Sequence, residues 1–115
     1  MKEREFQKVV IHELTQMGCF TLKVHGGLMQ KIGMPDIYVS HKLVEGWIEL
    51  KVGTAKLKTI QRLRIKQIKE TNTVCLVLRS HRSAFLVEDE DGHFIVDLQG
   101  QIKGLIGIML QYKKR

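Results

Sequence analysis

The chain has 115 residues, 43% of them hydrophobic and 6% aromatic, enough to bury one core without disulfide or metal staples and too apolar for a disordered segment. Its 19 Lys and Arg against 12 Asp and Glu leave a formal charge of +7, which points to a polyanionic partner, nucleic acid before a membrane surface. No run approaches the length of a membrane span, the N-terminus has no apolar leader, and Cys19 and Cys75 sit among apolar neighbours with no CxxC, so the expectation is one domain over 1–115 with free buried thiols, in the cytoplasm, with no membrane role and no structural zinc.

Glu3 to Met17 reads as an amphipathic helix, because Phe6, Val10, Leu14 and Met17 recur at helical spacing and Gly18 can stop it. Cys19 to Val24 reads as a strand in which Phe20, Leu22 and Val24 alternate with Thr21 and Lys23. His25-Gly26-Gly27 opens a loop whose Leu28, Met29 and Ile32 are expected to be buried. Asp36 to Ser40 and Gly46 to Val52 follow as strands joined by a turn too short for a crossover helix, hence antiparallel.

Gly53 to Lys58 is a basic loop. Thr59 to Glu70 reads as a helix with Ile60, Leu63 and Ile68 inward and Lys58, Arg62, Lys66 and Lys69 as a cationic stripe outward. The continuous apolar run Thr73 to Leu78 has the texture of a strand buried on both faces, and the intervening helix makes it parallel to the strand before. Ala84 to Val87 and His93 to Val96 flank an Asp-Gly hairpin tip, Glu88 to Gly92, which lacks the terminal glutamate of a calcium loop and is read as a turn. Gln101 to Tyr112 closes the chain as a helix with Ile102, Leu105, Ile106 and Met109 in one stripe. The order αβββαβ, then hairpin and helix, describes an α/β fold with a mixed sheet flanked by helices, the core spanning about 3–80 and the C-terminal addition 84–112.

The residues that carry chemistry lie in the middle strands. Asp36 follows the single proline of the chain, and Glu49 and Lys51, two apart on the next strand, project to the same face while Leu50 turns into the core. Two carboxylates and an ammonium at one sheet edge suit a hard cation and a phosphate. Each residue alone has a plainer explanation, as a turn pair, a half-exposed strand or a solvated helix face; their conjunction, with a basic helix and Gln61 directly after, is what singles them out.

Gly33-x-Pro35-Asp36, then Glu49-x-Lys51 on the next strand, then Gln61 on the following helix, resembles the PD-(D/E)xK nuclease superfamily. With Glu3-x-x-Phe6 and Lys23-x-His25-Gly26 upstream, it resembles more narrowly the VRR-Nuc branch, in which small stand-alone chains of phage or bacterial origin are typical. The resemblance covers roughly Glu3 to Ser80. It implies a restriction-endonuclease-like core and a Mg²⁺-dependent endodeoxyribonuclease, with Mn²⁺ able to substitute. Asp36, Glu49 and the Leu50 carbonyl would hold the metal, and Glu3 (or Glu5, which keeps the spacing less well) would be the helix carboxylate, reaching the metal through water or holding a second ion. Lys51 would orient the attacking water or offset phosphate charge. Gln61 would fix Lys51 or a phosphate, unless it is simply an exposed helix residue.

Lys23, His25, Gly26, Lys31, Lys56, Lys58, Arg62 and Lys66 are the candidate phosphate contacts. A homodimer would present two sites to flap or four-way-junction DNA, its interface formed by the C-terminal apolar stripe or the hairpin edge. The rival readings are a non-catalytic nucleic-acid-binding module on the same fold and a restriction-type nuclease that needs a partner subunit.

Overall fold

Three apolar residues, Phe6, Val10 and Leu14, make one buried stripe on α1 (Glu3–Gln16), and the rest of the chain is layered on it. The computed structural model describes residues 1–24 and 32–113. After α1 come β1 (Phe20–Lys23), β2 (Ile37–Ser40), β3 (Glu45–Val52), α2 (Thr59–Glu70), β4 (Val74–His81), β5 (Ala84–Glu88) and β6 (Phe94–Asp97), and a 3-10 turn at Ile102–Gly104 runs into α3 (Leu105–Tyr112). His25, Gly26 and Lys31, with Leu28 and Met29, lie outside the described residues.

The strands form one six-stranded sheet in sequence order, antiparallel throughout except for the β3–β4 pair, which is parallel and bridged by α2. The C-terminal hairpin therefore extends the same sheet. Strand alternation assigns the two faces. Ile37, Val39, Ile48, Leu50, Leu76, Leu78 and Val87 face α1 and α3 and form the larger core with Phe6, Leu14, Ile102, Leu105, Ile106 and Met109. Trp47, Cys75 and Val77 face α2 and close a smaller cluster with Ile65. Glycine at position 46 is a requirement of this packing, since a Cβ there would stand 2.6 Å from the Val74 carbonyl oxygen. No helix among the described residues is long and apolar enough to cross a membrane.

Four expectations need correction. Phe20 and Leu22 point outward, 64% and 54% exposed, because β1 is an edge strand whose inward face carries Cys19 and Thr21. On α2 the buried residue is Ile65, whereas Leu63 is 46% exposed and Ile60 and Ile68 are half-buried. Ile32 is 75% exposed, its carbonyl held by Arg64 Nε at 2.9 Å. The C-terminal stripe is core: Ile102, Leu105, Ile106 and Met109 are all buried, so it offers no face to a second copy.

β4 also runs further than the apolar texture suggests, to His81, where a two-residue turn at Arg82 and Ser83 leads into β5. Both residues have positive φ, 49° and 64°, the backbone of a type I′ hairpin turn that usually takes Asn-Gly. Holding two ordinary L-residues in the left-handed region costs roughly 1–2 kcal/mol each. The double change Arg82→Asn and Ser83→Gly is therefore expected to stabilise the fold by about 1 kcal/mol or more, read as a higher midpoint in urea with an unchanged slope. A lower midpoint would show that the arginine and serine side chains contribute more than the turn backbone costs.

Candidate active site

β2 begins its ladder at Ile37, opposite Ile48, while β3 continues on to Val52. Beyond Ile48 the second edge of β3 has no β2 partner, and its backbone groups need another one. Asp36 supplies it: the Leu50 N–H donates to Asp36 Oδ2 at 2.8 Å. The Asp36 carbonyl in turn accepts from Val24 N–H at 2.9 Å, which ties the strand entrance to β1. In an antiparallel pair the N–H and C=O of one residue face the same neighbour, so the Leu50 carbonyl opens to the Asp36 side as well.

The approach to Asp36 is fixed on its other side. Gly33 has φ +82°, and a Cβ on it would sit 2.8 Å from the Ile60 carbonyl oxygen, so the Gly-x-Pro-Asp turn presses directly on the start of α2. Only glycine fits both the backbone angle and the contact.

Glu49 and Lys51 lie on the α2 face of β3, in register with Val77 and Arg79 of β4. Glu49 is 2% exposed, and Lys51 Nζ stands 3.8 Å from Glu49 Oε2. Burial, reinforced by the Asp36 carboxylate, pushes the Glu49 carboxyl up to about 9, with Lys51 opposing and Glu3 adding a smaller push. Asp36 and Glu49 are close enough for their carboxyl groups to hydrogen-bond. A carboxyl kept protonated by burial and by a neighbouring carboxylate belongs to a donor set short of positive charge, which suits a hard divalent cation with oxygen ligands.

Glu3, exposed in the first turn of α1, reaches this centre through its field. It does not close with Asp36 and Glu49 into a compact ligand group. Among the described residues the group of three whose ligand atoms lie within 4.8 Å of one another is Asp89, Asp91 and His93 on the hairpin tip. Those atoms already have partners: Asp89 Oδ1 accepts from the Asp91 and His93 N–H groups, and Asp91 Oδ1 lies 2.7 Å from Arg62.

Gln61 is engaged elsewhere. Its Oε1 accepts from the Lys58 N–H at 2.9 Å, capping the start of α2. The reciprocal half of a capping box is missing because a lysine side chain has no acceptor. Lys23 is exposed at the end of β1 opposite Ile37, and Lys56 and Lys58 are exposed on the loop after β3. Arg62 and Lys66 turn instead towards the hairpin, at 2.7 and 3.8 Å from Asp91.

Arg79 has no place in the sequence reading. Its Nε contacts Glu88 Oε1 and Oε2 at 3.1 and 3.0 Å, and its Nη1 donates to the Gly53 and Ala55 carbonyls at 2.8 and 2.7 Å. One guanidinium thus pins the loop that follows Lys51 to the base of the hairpin. The signal in the sequence is a charged residue ending an apolar run, in phase with Cys75 and Val77.

No protein-family model and no curated protein matches the sequence. Among solved structures the chain is similar to Hjc, a Holliday junction resolvase of Archaeoglobus fulgidus, with a TM-score of 0.62 at 16% identity over 85% of this chain and 90% of that one. The fold is thus that of the Hjc structure, an α/β mixed sheet with flanking helices, the class expected from the order αβββαβ.

The raised Glu49 carboxyl sets a pH dependence with a definite sign. Its folded value, about 9, lies above the reference 4.5, so its favourable contribution is complete below 4.5 and is lost as pH rises through 9. Metal-free protein is expected to lose melting temperature across that window, and Glu49→Gln to flatten the loss. Titration with Mg²⁺ or Mn²⁺ near neutral pH is expected to release about one proton, measurable by calorimetry in buffers of different ionisation heat. A wild-type profile as flat as that of Glu49→Gln would contradict the assignment.

Proposed function

We propose that this chain is a metal-dependent endodeoxyribonuclease, acting as one nuclease domain over 1–115 and selective for branched DNA such as flaps or four-way junctions. The observation that carries this reading is the convergence of Asp36, Glu49 and Lys51 where β3 outruns β2, with Asp36 locked onto the Leu50 N–H. The likeness of the fold to a Holliday junction resolvase supports the branched substrate. The Glu-x-x-Phe and Lys-x-His-Gly runs favour the VRR-Nuc branch within the wider superfamily.

In this reading Asp36, Glu49 and the Leu50 carbonyl would hold Mg²⁺ or Mn²⁺, which would activate water and offset charge on the scissile phosphate. The protein's own groups do the rest. Lys51 positions the water and stabilises negative charge as the new P–O bond forms and the bridging P–O bond breaks, the attacking water giving up a proton to solvent and the leaving oxygen taking one up from it. The burial of Glu49 and Lys51 strengthens each of these interactions. Lys23 at the end of β1, opposite Ile37, and Lys56 and Lys58 on the loop after β3 are exposed and would contact the backbone without reading bases. A homodimer supplies the second cut, and exposed Phe20 and Leu22 on the β1 edge are better placed to form it than the buried C-terminal stripe.

Cleavage assays on linear duplex, flap and four-way-junction DNA with Mg²⁺, Mn²⁺ or EDTA test the reading. Branched substrates are expected to be cut only with metal, and Asp36→Ala and Lys51→Ala to lose about 10²-fold or more while still binding. Gln61→Ala is expected to lower stability by about 1 kcal/mol as a lost cap and to leave the cleavage rate near wild type. DNA binding without cutting under every condition would favour a binding module on the same fold.

A further inference from the structure

Four of the chain's 12 acidic residues, Glu88, Asp89, Glu90 and Asp91, fall in one run at the β5–β6 tip. The most basic helix of the molecule is their neighbour. Asp91 Oδ1 lies 2.7 Å from Arg62 Nη2 and 3.8 Å from Lys66 Nζ, and Glu90 Oε1 lies 2.7 Å from Lys69 Nζ. At the base of the hairpin Glu88 takes the Arg79 guanidinium at 3.0 Å. Every α2 cation from Arg62 to Lys69 on that stripe thus has a carboxylate facing it.

The tip is built to present these groups. Asp89 Oδ1 accepts from the Asp91 and His93 N–H groups, both at 2.9 Å, and Asp89 N–H donates to the His93 carbonyl at 3.0 Å. Beneath it runs a cleft of about 530 Å³ between the loop after β3, α2 and the hairpin. Its lining includes the cations Lys56, Arg62 and Arg79 and the acids Glu88, Glu90 and Asp91. The spacing of cations along α2, at i, i+4 and i+7, is that of a track for successive phosphates, and the acidic side chains stand where those phosphates would.

We propose that the hairpin tip is a built-in polyanion mimic, which occupies the phosphate donors of α2 until a nucleic-acid backbone displaces Asp91 and Glu90 from Arg62, Lys66 and Lys69. This rests on the nuclease reading only for the identity of the polyanion. Exposed ion pairs of this kind are weak in water, so an incoming phosphate can exchange with them. The tip then restrains binding to single contacts and yields to a ligand that brings several phosphates at once. The site at Asp36, Glu49 and Lys51 lies on the same face of the sheet as α2, so the restraint acts on backbone entering beside it.

The test compares single-charge deletions. Asp91→Asn is isosteric and frees Arg62, whereas Glu13→Gln removes one negative charge from the exposed side of α1. Binding of four-way-junction DNA in EDTA and retention on a heparin column are measured for both, each also combined with Arg62→Gln. Asp91→Asn is expected to tighten DNA binding several-fold, about 3–10, and to steepen the salt dependence by about one phosphate contact, with Glu13→Gln well short of both. Arg62→Gln is expected to cost little in the intact chain and to erase the gain in the Asp91→Asn background, a coupling that a global charge effect does not produce.

Equal behaviour of Asp91→Asn and Glu13→Gln on DNA and heparin would overturn the proposal, even if branched DNA is cut. Later elution of Asp91→Asn than of Glu13→Gln from heparin, with its gain lost on adding Arg62→Gln, would sustain it even if no substrate is cut and the nuclease reading fails.

Discussion

The hydrogen bond from Leu50 N–H to Asp36 Oδ2 sets the geometry on which the candidate site depends. It exists because β3 is longer than its antiparallel neighbour, so that a backbone donor in the middle of the sheet is left without a ladder partner. A buried donor of that kind costs free energy unless something accepts from it. Asp36 accepts, and in doing so is drawn alongside Glu49, where two carboxylates would otherwise repel. Satisfying the backbone and assembling the acidic pair are one event. The proline before Asp36 and the glycine pressed against Ile60 bring the chain in at the angle this requires.

The two faces of the sheet do different work. The face under α1 and α3 is almost wholly apolar and holds the larger core, including the stacked rings of Phe6 and Phe85 at 5.8 Å. The face under α2 is a narrower apolar patch around Ile65, Cys75 and Val77, which gives way along the strands to Glu49, Lys51 and Arg79. That gradient is possible because β3 and β4 are anchored by Ile48, Leu50, Leu76 and Leu78 on the opposite face. Charged groups at odd-numbered positions are carried by strands whose even-numbered positions supply the burial.

Local patterns made much of this legible in the sequence. Helical spacing located α1 and α2, the unbroken apolar run located β4, and Asp-Gly located the last hairpin, each from neighbours within a few positions. What stayed hidden depended on distant neighbours. The alternation of β1 is as apolar at Phe20 and Leu22 as any inward face, and only the sheet order makes it an edge with its greasy side out. Arg82-Ser83 lacks the usual turn residues, yet the register of β4 with β5 forces both into positive φ. Gln61 follows the Glu-x-Lys pair in sequence, and its Oε1 accepts from the Lys58 N–H at the start of α2.

The charges show the same division most clearly. A formal charge of +7 is a property of the whole chain, whereas affinity for a polyanion depends on which cations have no closer partner. Arg62 and Asp91 are 29 positions apart, and Lys69 and Glu90 are 21 apart, separations at which no periodicity connects them. Two consecutive antiparallel turns, at Arg82-Ser83 and at the acidic tip, fold β5 and β6 back along β4 and bring the run of carboxylates over α2. Three cations of the stripe that the sequence marks as basic, Arg62, Lys66 and Lys69, are therefore each faced by a carboxylate of the tip. Lys23 at the end of β1 and Lys56 and Lys58 on the loop after β3 are exposed to solvent.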